Sequence, residues 1–181
     1  MGLRGSERIS RIPQAISVRR GCNRDVNYVR DIDLKSYQYP WDYDQWKVVG
    51  ESKTHHWCVA IKEAQPIGFA VWEDSPKGYA DAVKLLRLGV KPAYRGLGAG
   101  MQLLDYVLDY AEDSSFKRFL TIVPEIYCLP GHPDDVSEWL LHRGLHAVPP
   151  IVKEHAYMYG EWVDGFIFTT SLTGRTNESS T

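Results

Sequence analysis

A chain of 181 residues, 44% hydrophobic and 24% charged, is sized for one domain that buries its own core without disulfides or metals. A net charge of -2 gives no overall pull toward nucleic acid or an anionic membrane. Three widely spaced cysteines, Cys22, Cys58 and Cys128, with no Cys-x-x-Cys pair, argue for a reducing, cytoplasmic setting and against a zinc site.

In chain order, residues 1–15 form an arginine-containing polar arm expected to be irregular, 16–170 the folded domain, and 171–181 a polar tail with nothing to bury. No apolar run reaches membrane-spanning length, and no secretory segment opens the chain. Val26, Val29, Ile32 and Leu34 recur at helical spacing and predict a helix over 25–39, closed by Pro40. Residues 57–61 and 67–72 read as a hairpin, and 82–90 as a third strand ended by Pro92. Met101, Leu104, Leu108 and Ala111 give a helix over 97–113 one apolar stripe, with Leu103, Val107 and Tyr110 widening the face. A strand at 119–123 precedes a short helix over 136–143, which Gly144 stops with a left-handed cap. Strands near 145–148, 156–159 and 162–169 complete the pattern. The expected class is α/β: a mixed twisted sheet of about six to seven strands with helices on both faces.

The segment from Leu88 through Lys91-Pro92 to Arg95-Gly96-Leu97-Gly98-Ala99-Gly100 runs from a strand into the long amphipathic helix. Backbone amides at a helix start carry the positive end of the dipole, and glycine lets an anion approach without a Cβ in the way. A dinucleotide fingerprint fails because its third glycine would fall on Met101, and a P-loop fails for want of Gly-Lys-Ser/Thr.

Arg-x-x-Gly-x-Gly, preceded by Val-x-Pro and followed by an apolar helix, resembles the acetyl-CoA signature of the GNAT acetyltransferases. Ile32-Asp33 ahead of Tyr39-Pro40-Trp41 is similar to the first-helix segment of RimI-like protein N-terminal acetyltransferases. Leu120 to Pro124, Trp139 to Leu145 and Lys153 to Met158 resemble later family segments in correct order. The resemblance implies a GNAT fold, and amides around Leu97, Gly98, Ala99, Gly100 and Met101 holding the pyrophosphate of acetyl-CoA. It implies Leu88, Gly89 and Val90 along the pantetheine, Arg95 and Gly96 beside the phosphates, and Tyr39, Pro40, Trp41 and Tyr43 at the acceptor entrance.

The chain departs from the family where protons move. The family's tyrosine acid falls on Leu140, its fifth-strand Glu or His on Thr121, and the asparagine after that strand on Ile126. Glu125, as a base through water, and Tyr127, as the acid, are the substitutes. His132 and Asp81 are weaker ones, and the histidines show no metal-ligand spacing. The expected activity is acetyl transfer from acetyl-CoA to a primary amine, a protein N-terminus or lysine, by a monomer or homodimer. A small polyamine or antibiotic as acceptor, and a catalytically weak acyl-CoA-binding module, are the alternatives.

Overall fold

The structure, a computed structural model, describes residues 15–130, 135–158 and 160–172. Eleven principal elements follow in order: β1 (Ser17–Arg20), α1 (Val26–Ser36), α2 (Tyr43–Glu51), β2 (His55–Lys62), β3 (Gln65–Asp74), β4 (Ala82–Val90), α3 (Ala99–Asp113), β5 (Arg118–Pro124), α4 (Ser137–His142), β6 (His146–Met158) and β7 (Glu161–Ser171). The strands join one seven-stranded sheet in the order β1-β2-β3-β4-β5-β7-β6. Every pairing is antiparallel except β4 with β5.

Alternation along each strand sends its side chains to two cores. Ala70, Trp72, Val83, Leu85, Phe119 and Phe168 meet Leu103, Leu104, Val107 and Ala111 of α3 and Leu140 of α4. On the opposite face, Val59, Phe69 and Val71 meet Val29 and Ile32 of α1 and Trp46 and Val49 of α2. The helices therefore cover both faces, as the sequence pattern implies. Among the described residues, no helix is long and apolar enough to cross a membrane.

The structure corrects three expectations. The first helix ends at Ser36 rather than at residue 39, because Tyr37 already turns to extended backbone. Residues 43–51, left without an element by the sequence pattern, form α2. Asp42 caps it by accepting the Gln45 amide at 2.8 Å, and the Gln45 side chain returns a bond to the Asp42 amide at 2.9 Å. The separate strands near 145–148 and 156–159 are one strand, β6, whose pairing with β7 shifts twice and so hides its alternation. Residues 1–14 of the expected basic arm over 1–15, residues 173–181 of the expected tail over 171–181, and the candidate His132 lie outside the described residues.

Candidate active site

β4 and β5 pair over only four rungs, from Ala82 opposite Arg118 to Leu85 opposite Thr121. There Thr121 Oγ1 donates to the Leu85 carbonyl at 3.1 Å. Beyond that rung β4 continues along β3 to Val90, while β5 continues along β7 to Pro124, so the sheet opens between them. A bulge marks the same point on β4. Leu85 stands opposite Trp72 and Arg87 opposite Val71, leaving Leu86 as the extra residue.

Past the opening, Gly89 pairs with Phe69 and the Lys91 amide donates to Ile67, so the polar groups of Leu88 and Val90 point away from β3 into the gap. The carbonyls on this edge have partners within the chain. The Tyr37 hydroxyl donates to the Leu88 carbonyl, and Ser36 Oγ and Arg95 Nε donate to the Val90 carbonyl at 3.2 and 3.3 Å. Burial raises the Tyr37 phenol above its ordinary range. With its carbonyls engaged, the edge is suited to offer amide donors to a bound molecule.

The glycine turn follows at the end of β4. Gly96 and Gly98 have φ of 74° and 85°, in the left-handed region, and Gly98 is the N-cap of α3. A Cβ at either would meet nothing within 4 Å, so the backbone conformation, not packing, demands glycine, and the space outside the turn is open. Gly100 carries no such demand, since a Cβ there would make ordinary contacts at 3.8 Å with Leu88 and Trp139. Ala99 is buried beneath the turn while Leu97 is half exposed. The amides of the first helical turn have no intrahelical acceptor, and α3 aims the positive end of its dipole at them. The turn thus fits a pyrophosphate. The Arg95 guanidinium bridges the Val90 and Ser36 carbonyls, with Nη2 at 3.1 Å from Ser36, and ties β4 to the end of α1.

On the α1/α2 face, a buried ion pair that the sequence reading passed over fixes the aromatic loop. Asp33 is fully buried and accepts Arg87 Nε at 2.5 Å and the Trp41 amide at 2.7 Å. Arg87 Nη2 donates to the Tyr39 carbonyl at 2.8 Å, and the guanidinium lies 3.9 Å from the Tyr37 ring centroid and 5.2 Å from that of Trp41. Pro40 is half-buried in this loop. Trp41 packs edge-on to Trp46 at 5.1 Å, and Tyr43 is exposed beside Arg30. Trp41, Gln45, Val48, Val49, His55 and Leu86 line a shallow hollow of about 210 Å³. Only the acidic residue after Ile32 hinted at this anchor; nothing in the sequence pairs it with Arg87.

Glu125 and Tyr127 lie on a 3-10 turn, Glu125–Cys128, directly after β5. Tyr127 packs against the α3-side core, and its carbonyl accepts the Val136 amide at 2.9 Å. Glu125 is half-buried, and it adds to Asp164, the main partner, in raising the pKa of the Lys153 ammonium. Asp81 is exposed at a turn, 3.6 Å from Lys117, and its backbone carbonyl accepts the amides of Lys117 and Arg118, so the structure gives it a turn role. Leu140 is buried in the core.

The sequence profile described as the Acetyltransferase (GNAT) family matches residues 26–125. A 62-residue segment is 39% identical to an uncharacterized N-acetyltransferase of Schizosaccharomyces pombe; it is 34% of this chain and spans only 38% of that protein's length. Among solved structures, the fold resembles a ribosomal-protein-alanine N-acetyltransferase of Escherichia coli, with a TM-score of 0.74 at 13% identity over 92% of this chain and 100% of that one. It also resembles Arabidopsis thaliana NAA60, solved with acetyl-CoA, with a TM-score of 0.72 at 16% identity over 87% and 99%. A candidate phosphinothricin N-acetyltransferase gives 0.71 at 18% identity over 88% and 99%.

Proposed function

The chain belongs to the acetyltransferase (GNAT) family, which uses acetyl-CoA, and on that premise we propose that it transfers an acetyl group to the α-amine of a protein or peptide. The observation that carries the choice of acceptor is the loop from Tyr39 to Tyr43, held by Asp33 and Arg87 on the face where the sheet opens. Its proline and aromatic surface, next to an open hollow rather than an enclosed pocket, suits an extended chain end.

Acetyl-CoA supplies an activated acyl carbon and a thiolate leaving group. The amides of Leu97 to Met101 hold its pyrophosphate at the start of α3, with Gly96 and Gly98 allowing close approach. Amides of Leu88 and Val90, beside Gly89, align its arm in the gap, and one of them polarises the thioester carbonyl. Arg95, tied to the Val90 and Ser36 carbonyls, orients this edge beside the phosphates. Tyr127, on the α3/α4 side, protonates the thiolate. Glu125, at the outer end of β5, is the carboxylate available to take the amine proton through a water. Tyr39, Pro40, Trp41 and Tyr43 seat the acceptor. Orienting two bound reactants supplies much of the acceleration. Three unbridged thiols, Cys22, Cys58 and Cys128, support a cytoplasmic setting.

Thiol release from acetyl-CoA, measured with short unblocked peptides and with polyamines and aminoglycosides, tests the assignment. Turnover of peptides is expected; turnover confined to the small cations would replace the acceptor.

A further inference from the structure

β6 does not run evenly along β7. Val152 stands opposite Gly165 and Ala156 opposite Val163, so four steps of β6 span two of β7. The excess is held in place. Asp164 accepts Lys153 Nζ at 2.5 Å and the Glu154 amide at 3.1 Å, and Glu154 sits at a φ of 49°. A bulge re-aims the side chain beside it, and here that side chain is His155.

The His155 ring lies across β7, over Gly165. A Cβ on that glycine would stand 2.8 Å from His155 Cγ and Cδ2 and 2.8 Å from Ile122 Cγ2, so any other residue there would displace the imidazole. Ile122 directly follows Thr121, the last residue of β5 paired to β4. By strand alternation, Ile122 and Gly165 share the α1/α2 face with Lys84 and Leu86. The core packed by α1 and α2 lies over β2 and β3, with Leu86 of β4 at its edge. Leu86 lines the hollow with Trp41, so the aromatic loop borders the opening from the β4 side, while Ile122, which meets His155 over Gly165, borders it from the β5 side.

We infer that His155 is the base that accepts the proton of the acceptor amine, a step that otherwise falls to Glu125. The inference rests on the acetyltransferase reading. An ammonium R–NH3+ gives one proton to the imidazole; the neutral nitrogen forms a bond to the thioester carbon as the C–S bond breaks. Tyr127 gives its proton to the thiolate, the nitrogen's second surplus proton passes through water to the Tyr127 phenolate and restores the phenol, and the imidazolium releases the first to water.

The surroundings keep the imidazole neutral. Burial lowers its pKa, the Lys84 ammonium lowers it further, and the Ile122 backbone works the other way. Charges around it are Lys84 on β4 with Glu73 on β3 beside it, Lys153 and Glu154 on its own strand, Asp164 on β7 and Glu125 beyond β5.

The test follows the His155 imidazole by NMR in the whole protein and the pH dependence of kcat with acetyl-CoA and a short unblocked peptide. Without ligand the midpoint is expected below about 6.5, rising in Lys84→Met. His155→Gln is expected to lower kcat about 100-fold, to abolish the acid limb that tracks the imidazole, and to leave acetyl-CoA affinity unchanged in calorimetry. Gly165→Ala, which displaces the ring, should weaken the same limb, and it carries the test if His155→Gln does not fold. A midpoint at or above about 6.5, or an active enzyme whose acid limb survives His155→Gln, overturns the role of His155 alone. A wild-type protein that binds acetyl-CoA and acetylates no amine overturns the functional reading, and His155 with it.

Discussion

Thr121 Oγ1 donates to the Leu85 carbonyl across the last rung that β4 and β5 share, and one residue later the two strands part. The hydroxyl closes the seam where the sheet begins to open, in a position only 7% exposed. Thr121→Val keeps the shape and removes the donor. A loss of about 1 kcal/mol is expected from the missing bond, up to about 3 if the carbonyl finds no other partner, read from urea unfolding. Thr121→Ser should recover most of it.

Gly98→Ala separates strain from ligand contact. At a φ of 85° the alanine costs about 1 kcal/mol, and its methyl points where a pyrophosphate would lie. Gly144→Ala, at a φ of 76° after α4 and likewise with nothing within 4 Å, is the matched control. Both should lose similar stability, while only Gly98→Ala loses acetyl-CoA affinity, by about tenfold or more, in calorimetric titration.

Much of this frame is legible in the sequence. The stripe of α3, the span of β4 and the glycine turn stand out because each follows one period or one backbone rule. The face covered by α1 and α2 is far less so. Asp33 and Arg87 lie 54 positions apart and meet only because α1 packs on β4. His155 hides within a bulge whose register breaks the alternation that would have shown which way it points. Thr121 looks like a lost catalytic residue in the sequence, and its hydroxyl turns out to bind the backbone where the strands separate.

Removing one half of the buried pair should be costly. Asp33→Ala leaves Arg87 without its carboxylate and frees the Trp41 amide, for an expected loss of about 3–5 kcal/mol. The double variant with Arg87→Met should be less destabilised than the sum of the two single changes. In any folded single variant, KM for the peptide should rise more than KM for acetyl-CoA, since the loop from Tyr39 to Trp41 loses its anchor.

Asp25 gives a pH signature remote from the site. Its bond to Arg19, 2.8 Å long, and the Cys22 amide hold its pKa down to about 2. A depressed carboxylate stabilises the fold above its unfolded pKa, about 3.9, and that contribution disappears as pH falls through about 2. Because Arg19 is half exposed, about 1–2 kcal/mol is expected at pH 7. Asp25→Asn should show that deficit in urea melts at pH 7 and converge with the wild type near pH 2.

Mass spectrometry of an unblocked peptide that also contains an internal lysine, incubated with acetyl-CoA and the protein, tests the central claim most directly. The account predicts one added acetyl group, on the α-amine, appearing in step with free thiol and strongly reduced in Gly98→Ala. An unmodified peptide alongside an acetylated polyamine, or no acetylated amine of any kind, would contradict it.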